Sequence, residues 1–119
     1  MVKFNDSKPI YLQLREMIEK SILTNGIAEN EIVPSNRTIA KDFKLNPQTV
    51  SRAMKELIND GYLYKKRGIG LFVKKGAKEK LRNKKIANFR EEKIYSFFLE
   101  AKQIGISKKE LIENIKKIY

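Results

Sequence analysis

The stretch Asn36-Arg37-Thr38-Ile39-Ala40-Lys41-Asp42-Phe43-Lys44-Leu45-Asn46-Pro47-Gln48-Thr49-Val50-Ser51-Arg52-Ala53-Met54 decides the fold. Ile39, Ala40 and Phe43 recur at helical spacing, and Val50, Ala53, Met54 and Leu57 do so again. Lys44-Leu45 makes the turn between them. Asn46 then suits an N-cap and Pro47 a first helical residue, where a missing N–H costs nothing. Ala40 is small where two helices must cross closely, and Val50 fills the wedge between them. The pattern predicts two short helices across a tight turn, an arrangement that presents the second helix to a DNA major groove. Unrelated helical hairpins share it, so the flanks matter.

Upstream, Met1 to Lys8 is a short polar arm, and Pro9 opens a helix. Ile10, Leu14, Met17/Ile18 and Ser21/Ile22 keep helical spacing until Asn25-Gly26 ends it. Ala28 to Val33 reads as a connector, and Ser35 as the N-cap of the second helix. Downstream, Gly61 is a natural C-terminal stop. Tyr62–Arg67 and Leu71–Lys75 read as two short strands around Gly68-Ile69-Gly70, a hairpin signal.

From about Ala77 the pattern becomes one long helix. Leu81, Ile86, Phe89, Ile94, Phe97/Phe98, Ala101 and Ile104 form its apolar stripe, and Gly105 closes it. Ser107-Lys108-Lys109-Glu110 is a capping box with Ile106 and Leu111 as its staple, and Leu111, Ile112, Ile115 and Ile118 share one face of the last helix. The reading is a mostly α chain with a small β-hairpin. Residues 1–75 form a winged helix-turn-helix, and residues 76–119 form a two-helix dimerisation segment.

Charge sharpens the function. Residues 1–60 carry 9 Lys and Arg against 8 Asp and Glu; residues 61–85 carry 10 against 1; residues 86–119 carry 7 against 5. The surplus in a formal net charge of +12 is therefore concentrated just after the helix-turn-helix. A polyanion meeting such a patch gains affinity by releasing counterions. The competing reading is a solubilising face. A membrane-lying helix is disfavoured, because the run lacks a continuous apolar face.

The chain has no cysteine and no histidine, which removes disulfides, thiol nucleophiles and the commonest general base and zinc ligand. No cofactor and no metal are expected. Without an apolar leader or a membrane-length run, a cytoplasmic protein is expected. An enzyme would need carboxylates or lysines in a cleft. Glu16, Glu19, Glu91, Glu92, Glu110 and Glu113 instead fall at helix-surface positions beside Lys or Arg, as solvated pairs do.

Pro34-Ser35-Asn36-Arg37 before the hairpin of helices, and Gly61-Tyr62-Leu63 with Arg67-Gly68-Ile69-Gly70-Leu71-Phe72-Val73 after it, resemble the winged-helix domain of the GntR family of bacterial transcription regulators. Pro9-Ile10-Tyr11-Leu12-Gln13-Leu14 is similar to the start of that domain, so the resemblance covers roughly residues 9–75. Asn46-Pro47-Gln48-Thr49-Val50 is most similar to the YtrA-like subgroup, in which only a short helical dimerisation segment follows. Four places depart from the pattern. Asn36 replaces an acidic residue, Lys44 a common glycine, Leu71 the usual threonine, and Glu29-Asn30-Glu31 the usual Pro-Gly-Asp. A left-handed residue at Lys44 costs about 1–2 kcal/mol, which favours a turn made another way.

In this reading the recognition helix begins at Pro47. Asn46 and Thr49 lie near its N-terminus, where free N–H groups meet phosphate. Gln48 is the candidate base reader, since its amide pairs in two places with adenine. Ser51 is the next exposed position, and Arg52 and Lys55 point toward phosphate. The resemblance implies that Arg37 reads a guanine edge; the competing reading is a salt bridge to Glu29 or Glu31. Ser35, at the start of the same helix, joins the DNA-binding set. Lys66, Arg67, Gly68 and Gly70 form the wing tip, with Arg67 aimed at a minor groove. In the competing reading the glycines serve only the turn. Lys74, Lys75, Lys78 and Lys80 add phosphate attraction.

Leu81, Phe89, Ile94, Phe97, Phe98, Ala101, Leu111 and Ile115 are the expected dimerisation residues. Tyr95, Phe97 and Phe98 are the alternative lining of a small effector pocket. The expected partners are a palindromic double-stranded operator and a second copy of the chain. The resemblance implies a repressor of its own operon or of a transporter operon. The alternative is a non-specific architectural or plasmid-partition protein.

Overall fold

The computed structural model describes residues 4–119, which form two compact units divided between Arg82 and Asn83. The start of the polar arm, residues 1–3, lies outside the described residues. The first unit contains helices α1 (Ile10–Leu23), α2 (Asn36–Phe43) and α3 (Pro47–Asn59), and strands β1 (Leu63–Lys66) and β2 (Gly70–Val73). Helix α4 (Ala77–Phe89) begins in it.

Each early helix starts as its local chemistry dictates. Pro9 is the N-cap of α1 rather than its first helical residue, and its carbonyl accepts from Leu12 and Gln13 N–H. Ser35 Oγ accepts from Thr38 N–H at 3.1 Å, and Asn46 Oδ1 from Gln48 N–H at 2.9 Å. The rest of the polar arm is tied down beside α1. Gln13 bonds the Asn5 backbone in both directions, and Phe4 meets Phe43 edge-on at 6.0 Å.

The three helix ends of the first unit share one device. A left-handed residue, Asn25, Lys44 or Gly61, follows α1, α2 or α3. The next N–H then reaches back to Ser21, Ala40 or Leu57 carbonyl at 2.7–2.9 Å, the Schellman pattern. The expectation that Lys44 would avoid this conformation is thus overturned, since it sits at φ 54°, ψ 48°. The two bonds it makes possible, and the burial of Ala40 and Val50 on either side of the turn, hold it there.

The strands are antiparallel, with Leu63 opposite Val73 and Lys66 opposite Gly70. Ile69 N–H bonds Lys66 carbonyl at 3.0 Å and Gly68 has φ 78°, so the tip is a type II turn that needs its glycine. The segment read as a plain connector adds a third edge. Val33 N–H bonds Leu71 carbonyl, and Asn30 and Glu31 exchange bonds with Val73. Ile32 bridges Phe72.

One core unites Leu14, Ile18 and Ile22 with Ile39, Val50, Met54, Leu57, Tyr62, Leu63 and Val73, all at most 5% exposed. Each such side chain contributes about 1.5–3 kcal/mol by leaving water. Ala77 and Leu81 close the same core. Leu81 is therefore not a dimerisation residue but a winged-helix core residue, 1% exposed. Its burial carries the first unit past residue 75, to Arg82.

In the second unit, α4 runs through a π-helical turn at Arg90–Ile94 into α5 (Tyr95–Gln103), and α6 (Lys108–Ile118) follows. The expected single helix thus carries a wider turn. The spacing explains its place: Phe89 and Ile94 are five positions apart, the i→i+5 interval of a π turn. Gly105, at φ 84°, ends α5 with Ile106 N–H on Ala101 carbonyl. Ser107 caps α6 by accepting from Glu110 N–H at 3.2 Å. Ala101 is covered at 4% exposure, whereas Phe89, Phe97, Phe98 and Ile115 are about half-exposed. Ile94 and Leu111 are half-buried.

Candidate nucleic-acid interface

Helix α3 has two chemically distinct sides. Val50, Ala53, Met54 and Leu57 are at most 1% exposed and face the core. Gln48, Ser51, Arg52 and Lys55, with Glu56, line one open depression on the other side. Asn46 and Pro47, at the helix start, are exposed, and Thr49 is half-buried.

Two further clefts border that face. On one side Ser35, Asn36, Ser51 and Lys55 meet Lys65, Gly70 and Leu71 of the wing around a cleft of about 250 Å³. On the other, Ile10 and Tyr11 of α1 meet Lys44, Asn46, Gln48, Thr49 and Arg52 around about 650 Å³. The fold therefore brings Ser35, Ser51 and Gly70 together, and groups Asn46, Gln48, Thr49 and Arg52. Arg37 and Arg67 are exposed. Among the described residues Arg37 makes no ion pair with Glu29 or Glu31, whose carboxylates accept from Gly76 and Ala28 N–H instead.

The wing is stiffened from within. Phe72 stacks on Tyr64 at 5.6 Å, and the Lys66 ammonium lies 4.7 Å from the Phe72 ring. A side chain at Gly68 would meet open space, whereas one at Gly70 would press on Ile32 Cδ1 at 3.3 Å. Gly70 thus answers to the packing of the connector, and Gly68 to the turn. Lys78 donates to Asn25 Oδ1, and Lys80 to Asp60 carbonyl. Both ammonium groups are engaged within the fold.

Sequence reasoning missed the ionic cluster behind α3. Arg15, mostly buried, joins Glu56 at 3.0 Å, Glu19 at 3.3 Å and Asp60, bonding α1 to α3. Burial alone would lower the Arg15 pKa, but the hydrogen bonds to Asp60, Glu56 and Glu19 outweigh it and raise it. Glu19, read as a solvated surface carboxylate, is 7% exposed. Its position four residues after Arg15 was the available signal. Burial, with the Glu19 and Asp60 carboxylates, also raises the Tyr62 phenol above its ordinary value. Tyr11 was missed as well: the Arg52 guanidinium carbon lies 3.7 Å from its ring centre.

In the second unit, Phe98, Ile106, Leu111, Ile112 and Ile115, with Lys102 and Lys108 at the rim, line an apolar groove of about 500 Å³. Phe97 packs edge-on against Phe98. Tyr95 and Phe97 stay outside the groove's lining. Among the described residues no cluster of three or more metal-ligating side chains occurs.

The model for bacterial regulatory proteins of the gntR family matches residues 10–73. The HTH-type transcriptional repressor YtrA of Bacillus subtilis (strain 168) is 31% identical over 112 residues, covering 94% of this chain and 85% of that protein. A GntR family transcriptional regulator from Listeria monocytogenes superposes with a TM-score of 0.79 at 32% identity, covering 98% of this chain and 100% of that one. AraR(DBD) in complex with operator ORX1 superposes with a TM-score of 0.58 at 27% identity, covering 61% of this chain and 94% of that one.

Proposed function

We propose that this chain, which belongs to the gntR family of bacterial regulatory proteins, is a dimeric repressor that reads a palindromic operator with the exposed face of α3. Family membership makes it a DNA-binding transcription regulator and not an enzyme. Among the described residues no helix is long and apolar enough to cross a membrane.

The observation that carries the reading is the two-sidedness of α3. Its apolar side is sealed, while Gln48, Ser51, Arg52 and Lys55 share an open depression flanked by wing and α1. Gln48 is the base reader, and Arg37 the guanine contact from α2. Asn46, Thr49, Ser51 and Arg52 serve the backbone around them, and Ser35 positions the start of α2. Lys66 and Arg67 follow the duplex from the wing. The YtrA repressor and the operator-bound AraR domain, both similar to this chain, support operator binding by this unit.

A palindrome needs two copies. Phe89, Phe97, Phe98 and Ile115 stand about half-exposed in the second unit, large apolar side chains of the kind that a subunit contact covers. We assign them, with Ile94 and Leu111, to the dimer contact. The proposed targets are the chain's own operon or a transporter operon.

Selection of bound duplexes from a random pool tests this. A palindromic consensus is expected, and its footprint should lie upstream of one of those operons. Arg37→Ala and Gln48→Ala should each cost about 1–3 kcal/mol of discrimination. Binding without sequence preference at physiological salt, unchanged by both substitutions, would instead establish the architectural reading.

A further inference from the structure

Resting on the DNA-reading assignment of α3, we infer that Tyr11 is a positioning residue for DNA contact: its ring holds Arg52 so that the guanidinium fork meets a backbone phosphate. Helix α1, outside the helix-turn-helix, then sets where the recognition helix is anchored.

The geometry is specific to a guanidinium. Arg52 Cζ lies 3.7 Å from the Tyr11 ring centre, so the ring covers one face of the cation. Its Nε points to Glu56 Oε2 at 3.7 Å. The other Glu56 oxygen is taken by Arg15 at 3.0 Å. One carboxylate is thus shared by two guanidinium groups. Among the described residues no hydrogen bond occupies its two terminal nitrogens, the pair that matches a phosphate bidentately. Those nitrogens belong to a side chain 62% exposed, in the cleft that Tyr11 and Arg52 line with Lys44, Asn46, Gln48 and Thr49. A free arginine there would sample many rotamers. Face and edge contacts restrict it before DNA arrives, which lowers the ordering cost on binding.

The test is a salt titration of the full chain on a duplex selected by the wild type. Arg52→Ala should, per half-site, weaken binding about eightfold at about 0.1 M salt and lower the slope of log affinity against log salt by about 0.9. Tyr11→Met, which fills similar space without a π face, should weaken binding about two- to fivefold. Tyr11→Phe should bind as the wild type does. The Tyr11→Met/Arg52→Ala double variant should bind no more weakly than Arg52→Ala alone.

Losses that multiply in the double variant would overturn the proposal. So would wild-type binding by Tyr11→Met, or a loss in Tyr11→Phe equal to that in Tyr11→Met, which would place the hydroxyl rather than the ring at work. A second measurement needs no destabilising variant. In the free wild-type chain and in Tyr11→Phe, the Arg52 side-chain NMR signals should carry an upfield ring-current shift, and its absence would refute the stacking. A wild type that binds no duplex would overturn the DNA-reading assignment and this inference together. Failure confined to the Tyr11 variants overturns this inference alone.

Discussion

Replacing Lys44 by glycine should make the protein more stable, although it deletes a whole side chain. Lys44 occupies the left-handed region at φ 54°, ψ 48°, where its Cβ crowds the neighbouring carbonyl. That conformation costs a non-glycine residue about 1–2 kcal/mol. Glycine removes the cost but adds freedom to the unfolded chain, worth about 0.4–1 kcal/mol in the opposite direction. The hydrogen bond from Leu45 N–H to Ala40 carbonyl, 2.9 Å, is unaffected by the change. The net gain is about 0.5–1 kcal/mol. With a urea m-value of about 1.5 kcal/mol per molar, the unfolding midpoint should rise by about 0.3–0.7 M. The assay is circular dichroism in urea at one protein concentration, since the stability of the proposed dimer depends on concentration. Lys44→Ala is the control, because alanine loses the charge but keeps the Cβ, and its midpoint should stay near that of the wild type. A midpoint that fails to rise in Lys44→Gly, or that rises equally in Lys44→Ala, would refute the strain argument.

Three further outcomes are expected from packing and charge. Arg15→Met should destabilise the chain by about 2–3 kcal/mol in the same urea assay, because Glu19 is left buried, Asp60 loses its guanidinium partner and Glu56 keeps only the longer contact to Arg52. The loss falls short of a fully buried pair because Glu56 and Asp60 are 33% and 38% exposed. The raised Tyr62 pKa means the native state holds the phenolic proton more tightly than the unfolded chain. That contribution is complete below about pH 10 and is lost as pH rises through the folded value, so urea midpoints should fall less steeply above pH 10 in Tyr62→Phe. Ile115→Lys should shift sedimentation from dimer to monomer without loss of helical circular dichroism, and a variant that remains dimeric would exclude that face from the contact.

Features that were legible in sequence are those decided within a few residues. Ser35, Asn46-Pro47, Gly61, Gly105 and Ser107 mark helix ends because capping is local chemistry, and the structure places each where its spacing implies. Lys44 was misjudged because propensity weighs a residue alone, while Ala40 and Val50 hold the turn from both sides. Leu81 was grouped with the wrong partners because periodicity reveals that a face is apolar, not what covers it. The third edge at Asn30–Val33 and the contacts of Arg15 with Asp60 and of Arg52 with Tyr11 join residues far apart in the chain, beyond the reach of any local window. Lys78 and Lys80 entered the basic patch by count, yet their ammonium groups are spent on Asn25 and Asp60.

The wide turn at Arg90–Ile94 sets the phase of every later residue in the helix. Each residue added to a helix rotates the remainder of it by about 100°. Had the α spacing continued unbroken beyond Phe89, the apolar series of Ile94, Phe98 and Ala101 would run out of step with Ile86 and Phe89. The extra residue in the turn restores the alignment. Insertions and deletions should therefore be unevenly tolerated along this helix. Removing Glu91 leaves an ordinary α turn joining the same two halves of one face, whereas removing a residue from α5 pulls Ala101 out of its covered position.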